Sequence, residues 1–161
     1  MKSEAAILKS EILRDMEKLE HLFEKFASSF DKYKKQKEYA YLVESAFYVN
    51  QVYTGFERIF QNIAAYFENN VDEKSWHKSL LDRMVLDIEN IRPPVISESN
   101  YRHLDELRAF RHFFRHTYDF DLEEEKFSIV ASKARELRKG YKADLEKFLQ
   151  FIRDLATPTK E

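Results

Sequence analysis

The sequence predicts an all-α protein, an up-and-down bundle of about five helices. Three observations lead there. Two glycines and three prolines in 161 residues leave few places where a helix must break. Charged residues at 35% beside apolar residues at 43% suit amphipathic helices around a core better than a disordered chain. The apolar side chains recur at spacings of three and four, the period of a helix with one buried face.

Taken in order, Leu8, Ile12, Met16, Leu19, Phe23, Phe26 and Phe30 mark the apolar face of a long first helix, which a basic linker at Lys32 to Lys37 is expected to end. In the second helix Ala46, Val49, Tyr53, Phe56, Phe60, Ile63 and Phe67 form one stripe, and Val52, Ile59 and Tyr66 a second beside it. Two stripes require cover on two sides, from neighbouring helices or from another subunit. Asn69-Asn70 ends this helix, and Asp72 or Ser75 is placed to cap a third with Leu80, Leu81, Met84, Ile88 and Ile91 buried. Arg92-Pro93-Pro94 stops the third helix, because proline lacks an amide donor and biases its predecessor away from helical angles. Ser97 and Asn100 restart the chain. A fourth helix over roughly 98 to 117 buries Leu104, Leu107, Phe110 and Phe114. After a turn at Asp119 to Leu122, the last helix runs from about Glu123 to Leu155, with Val130, Ala134, Leu137, Tyr141, Leu145, Phe148 and Ile152 inward. Glu123, Glu124 and Glu125 at its start complement the helix dipole. Residues 1–161 read as one domain, with the first helix and linker over 1–36 and a frayed tail over 155–161 that contains Pro158.

The absence of cysteine excludes a disulfide and a thiolate metal site, which fits the cytoplasm, and no targeting or membrane-spanning segment is expected. A net charge of -2 gives no global attraction to nucleic acid. Basic character is instead local. Between Tyr101 and His116 stand Arg102, Arg108, Arg111 and Arg115 with His103, His112 and His116, against Asp105 and Glu106 alone.

Within that stretch Arg111, His116 and Tyr118 form an R-x4-H-x-Y pattern. With 11 Arg, 5 His and 9 Tyr in the chain, chance supplies roughly 0.3 R-x4-H pairs and about 0.02 that also carry the tyrosine. The residue types suit phosphodiester chemistry: histidine transfers protons near neutrality, and a guanidinium holds two phosphate oxygens. His116 is assigned to proton transfer and Arg111 to the phosphate. Arg108, His112 and Arg115 are RNA-binding candidates. On an ideal helix residues five apart are separated by about 140°, which disfavours a joint grip on one phosphate from a single helix and favours a site shared across a two-fold axis. Tyr118 would lie about 20° from Arg111 if the helix continued.

The pattern resembles that of the HEPN superfamily, and within it the HepT-like toxin ribonucleases. The resemblance extends to Trp76-His77-Lys78-Ser79-Leu80-Leu81-Asp82-Arg83-Met84, to Arg92-Pro93-Pro94-Val95-Ile96-Ser97, to Phe110-Arg111-His112 and to the closing helix. It implies a homodimeric, metal-independent endoribonuclease without cofactor, the toxin of a toxin-antitoxin pair. It further implies neutralisation by a nucleotidyltransferase antitoxin of the MntA type that places AMP on Tyr118, and it makes Arg111 and His116 catalytic. His112 departs from the small polar residue that many members carry after the arginine.

Blander readings stand beside these. The basic stretch is also what a solvated helix face looks like, and the same fold serves RNA- or nucleotide-binding modules that do not cut. A structural helical protein with no RNA role is a further alternative. His112 and His116, four apart, have zinc-ligand spacing but no Cys, Asp or Glu placed to complete a site. Trp76 and His77 suit a packing anchor and a helix-start hydrogen bond. Glu57 is placed either to pair with an arginine of the fourth helix or to face solvent.

Overall fold

The computed structural model describes residues 2–68 and 76–156, the side chains of Lys2, Trp76 and His77 excepted. It contains five helices among these residues and no strand: α1 (Lys2–Gln36), α2 (Tyr39–Glu68), α3 (Trp76–Met84), α4 (Glu98–His116) and α5 (Glu124–Ala156). The expected all-α bundle of about five helices is the observed fold. No helix among the described residues is long and apolar enough to cross a membrane. The expected caps at Asn69 to Ser75 and the tail with Pro158 lie outside the described residues.

The bundle is organised around α2, which touches all four other helices. Its first stripe is buried from Ala46 to Ile63 and its second at Val52 and Ile59, all within one chain. Neighbouring helices therefore account for both stripes without a second subunit. Along α1, Leu8, Ile12, Leu19, Phe23, Phe26 and Phe30 are buried as the spacing requires. The basic linker at Lys32 to Lys37 is a correction: α1 continues helically through Gln36. Tyr33, 7% exposed, extends the apolar face, and Lys34 and Lys35 in the last turn suit the negative end of the helix dipole. Lys37, at φ 56°, ends the helix by donating its N–H to the Tyr33 carbonyl at 2.7 Å.

A second correction concerns α3, which stops at Met84 rather than at the prolines. Val95 and Ile96, not Ile91, enter the core; Ile91 is 43% exposed and Ile88 half-buried. The reason lies in Arg92, whose side chain is fully buried against Glu68. Its Nη2 donates to a Glu68 carboxylate oxygen at 2.6 Å and to the Arg83 carbonyl at 3.0 Å, and its Nη1 to the Leu86 carbonyl at 3.3 Å. The end of α3 is thus capped by a guanidinium six to nine residues on. The chain turns back through Asn90, at φ 61°, and the amides of Val95 and Ile96 bond the Met84 carbonyl at 2.8 and 3.3 Å.

Ser97 caps α4 as expected, its hydroxyl accepting from the Asn100 amide at 3.3 Å. Both Ser97 and Asn100 are held by Asp144 of α5, at 2.9 Å from the hydroxyl and 2.6 Å from the side-chain amide. Gly140 permits this close approach: a Cβ there would stand 2.9 Å from the Asn100 Oδ1. Leu104 and Leu107 are buried, whereas Phe110 and Phe114 are only partly covered. The inward positions of α5 are buried from Ala134 to Ile152, with Val130 half-buried. Leu155 and Ala156, assigned to the frayed tail, are still helical.

The buried Arg92 supplies the first prediction. Arg92→Leu leaves Arg83 as the remaining cation on Glu68 and removes the carbonyl caps, a loss of hydrogen bonds from a charged group that typically costs about 1.5–3 kcal/mol. Urea unfolding is expected to show a loss of that size, with the midpoint lowered and the slope unchanged.

Candidate functional site

The basic stretch lies on α4, close to the end of the bundle. Arg108, Arg111, His112, Arg115 and His116 border one shallow hollow of about 50 Å³. The helix does not unwind before the histidine: it runs to His116, where the Thr117 amide closes it on the Phe113 carbonyl at 3.0 Å. Long side chains nevertheless bring both Arg111 and His116 to this hollow, despite their angular separation on the helix. It has room for a water molecule or two and none for a nucleotide.

Arg111 is on the core-facing flank. Its side chain is 13% exposed, and its Nη1 lies 3.8 Å from an oxygen of buried Glu57 on α2. Its guanidinium carbon sits 5.7 Å from the ring centre of Tyr53, one turn before Glu57 on the same helix face. Glu57 thus takes the first of its two expected places, opposite an arginine of the fourth helix. Burial, reinforced by the Glu57 charge, pushes the Tyr53 hydroxyl far above its ordinary value and keeps it neutral, although Arg108 and Arg111 pull the other way. A carboxylate and a ring face together fix where the guanidinium points.

Arg108 is held differently. Its Nε donates to Asp105 at 2.8 Å, and Asp105 also accepts from Lys78 of α3 at 3.0 Å. Burial alone would raise the Asp105 carboxyl, but hydrogen bonds from Arg108 and Lys78 outweigh it and hold the group below its ordinary value. The charge of Arg108 is therefore already compensated from within the chain.

His116 also borders the hollow and is exposed, its ring stacked on that of His112 with centres 4.3 Å apart. Its Nδ1 lies 2.9 Å from the His112 carbonyl. A carbonyl only accepts, so Nδ1 carries the proton and Nε2 of the neutral ring is left with the lone pair. The side chain is oriented by its own helix to present a base outward. Among the described residues no group of three or more His, Cys, Asp or Glu is arranged to hold a metal.

Tyr118 lies past the helix end, 94% exposed and outside the hollow. Asp119, at φ 49°, turns the chain after it. The third histidine of the stretch, His103, belongs to the packing between α4 and α5: burial, with Lys133 nearby, lowers its pKa. Tyr53 and Asp105 act as supports that residue type and spacing alone do not reveal. Tyr53 was hidden among the core aromatics, and its signal was its position four residues before Glu57.

Residues 44–152 match the sequence profile of a family described as HepT-like protein. No curated protein matches the chain. No solved structure matches it either.

The Arg111 pair is testable without any assay of function. Glu57→Ala leaves a largely buried guanidinium without its carboxylate, and the 3.8 Å separation places the expected loss at about 1–3 kcal/mol, below that of a tight buried pair. Urea unfolding reads the change directly. Glu57→Ala combined with Arg111→Met should recover part of it.

Proposed function

The chain belongs to the HepT-like protein family, and on that premise we propose that it is the ribonuclease toxin of a toxin-antitoxin pair, cutting RNA without metal. One observation carries the reading. Arg111, fixed by Glu57 and Tyr53, and His116, fixed by a backbone carbonyl with Nε2 outward, flank a single hollow in a stretch dense in bases.

The chemistry follows from these two groups. Nε2 of His116 takes the proton of a ribose 2′-hydroxyl, whose oxygen attacks the adjacent phosphorus. Arg111 holds the non-bridging oxygens as negative charge gathers on them in the pentavalent transition state. The bond to the 5′-oxygen breaks, and that oxygen takes the proton back from Nε2 of His116 as it leaves. The products are a 2′,3′-cyclic phosphate and a 5′-hydroxyl. Arg108, His112 and Arg115 hold the flanking backbone.

The small hollow and the angular separation of Arg111 and His116 on α4 both favour a homodimer in which two α4 motifs face one cleft. The arginine of one subunit then works with the histidine of the other. A nucleotidyltransferase antitoxin switches the enzyme off by adding AMP to Tyr118, whose exposure leaves its hydroxyl reachable. The adenylate brings bulk and one negative charge to the segment that follows the basic stretch, where it competes with the RNA phosphate for the cations of α4.

His116→Ala and Arg111→Ala are each expected to lower RNA cleavage at least about 10²-fold while the protein stays helical. The assay, run in EDTA, follows new 2′,3′-cyclic phosphate ends. A mixture of the two variants, once subunits exchange, should recover part of the activity, because one site of each heterodimer has both residues. Retained RNA binding with no new ends in the unaltered protein would identify a binding module instead.

Co-expression with a nucleotidyltransferase antitoxin of the MntA type should raise the mass of the chain by one or more adenylates, the first on Tyr118. Tyr118→Phe is expected to escape this and to remain toxic. If the partner neutralises Tyr118→Phe equally well and no adenylate is found, inhibition comes from binding alone.

A further inference from the structure

On the side of α4 turned away from the basic hollow, the helix end and the start of α5 enclose a groove of about 500 Å³. Its walls are apolar, built by Phe110, Phe113, Phe120, Phe127 and Val130, and Phe113 is 45% exposed. Its mouth carries three carboxylates, Glu106, Asp121 and Glu123, against one ammonium, Lys126, which Glu123 already holds at 3.2 Å. The volume is that of a site for one or two large side chains. Acidic groups at its mouth repel phosphates, so the groove is not a continuation of the RNA track.

The groove is also joined to the segment that carries Tyr118. Phe120, two residues further on, packs edge-on against Phe113 with centres 4.8 Å apart and forms part of the wall. Whatever fills the groove is thereby placed beside Tyr118. Phe113 and Arg108 are separated by about 140° around α4, so a dimer that pairs the basic faces leaves the groove open. We propose that this groove is the docking surface of the protein that engages Tyr118, and that it receives an aromatic or branched aliphatic side chain flanked by lysine or arginine. The inference rests on the regulatory reading of Tyr118 given above. It adds where the partner holds the chain and by what chemistry.

The test uses two substitutions outside the basic face. Ala109, exposed on the lip of the groove, becomes arginine to fill it (Ala109→Arg), and Asp121→Lys reverses one charge at its mouth. The probe is a purified nucleotidyltransferase antitoxin of the MntA type, titrated by calorimetry into the full chain. Ala109→Arg is expected to weaken binding at least tenfold, and Asp121→Lys to weaken it less and with a smaller salt dependence. Both should cut RNA within twofold of the unaltered protein. Binding within twofold for both variants, with the unaltered chain binding normally, overturns the groove and leaves the regulatory reading standing. No binding to the unaltered chain removes the partner itself. A change of sedimentation coefficient in Ala109→Arg with partner binding retained overturns the proposal in favour of a contact between copies.

Discussion

A helix with apolar side chains on two faces cannot lie on a surface, and α2 is such a helix. Burying both stripes requires cover from several directions, so α1, α3, α4 and α5 are arranged around it. At about 25 cal/mol per Å² of apolar area, this burial is the largest favourable term in the fold. It also fixes the position of α4, because the few polar groups on the buried faces of α2 must find partners. Glu57 and Tyr53 are two of them, and Arg111 is what α4 brings opposite. The proposed site is in this sense a product of the core: its arginine is held by residues that belong to the central helix.

Periodicity carried most of the architecture because every long helix here has a one-sided or two-sided apolar pattern. The two departures have separate causes. At Lys32 to Lys37 a run of charges looked like a break, yet one buried tyrosine and a favourable helix end sufficed to continue the helix. At Ile88 and Ile91 an apolar spacing looked helical, yet the buried guanidinium of Arg92 required carbonyls that only a terminated helix can offer. Local spacing cannot register a partner that arrives from 24 residues away, which is the separation of Glu68 and Arg92.

The candidate site was legible in its chemistry and less so in its supports. Arg111, His116 and their basic neighbours stood out by residue type and spacing, and the structure gathers five of them at one hollow. What spacing could not give was the division of labour among the arginines. Arg108 spends its charge on Asp105, whereas Arg111 is aimed by a carboxylate and a ring. Nor could it distinguish His103, a packing residue, from His116, although both are histidines of one helix.

The two ends of α4 are anchored very unequally. Its buried residues are Asn100, Leu104 and Leu107, all in the first half, and Asp144 grips that end through Ser97 and Asn100 while Gly140 lets α5 come close. The second half, which carries Arg111 to His116, has no fully buried side chain. The helix is in effect a cantilever, clamped at its root and propped at Arg111 by α2, with exposed His116 at its free tip. Fluctuation is greatest where a beam is unsupported, and local opening of that tip costs far less than unfolding the bundle. A second body laid against the tip therefore alters the order of the reactive groups while the clamped root, and the fold with it, stays as it is.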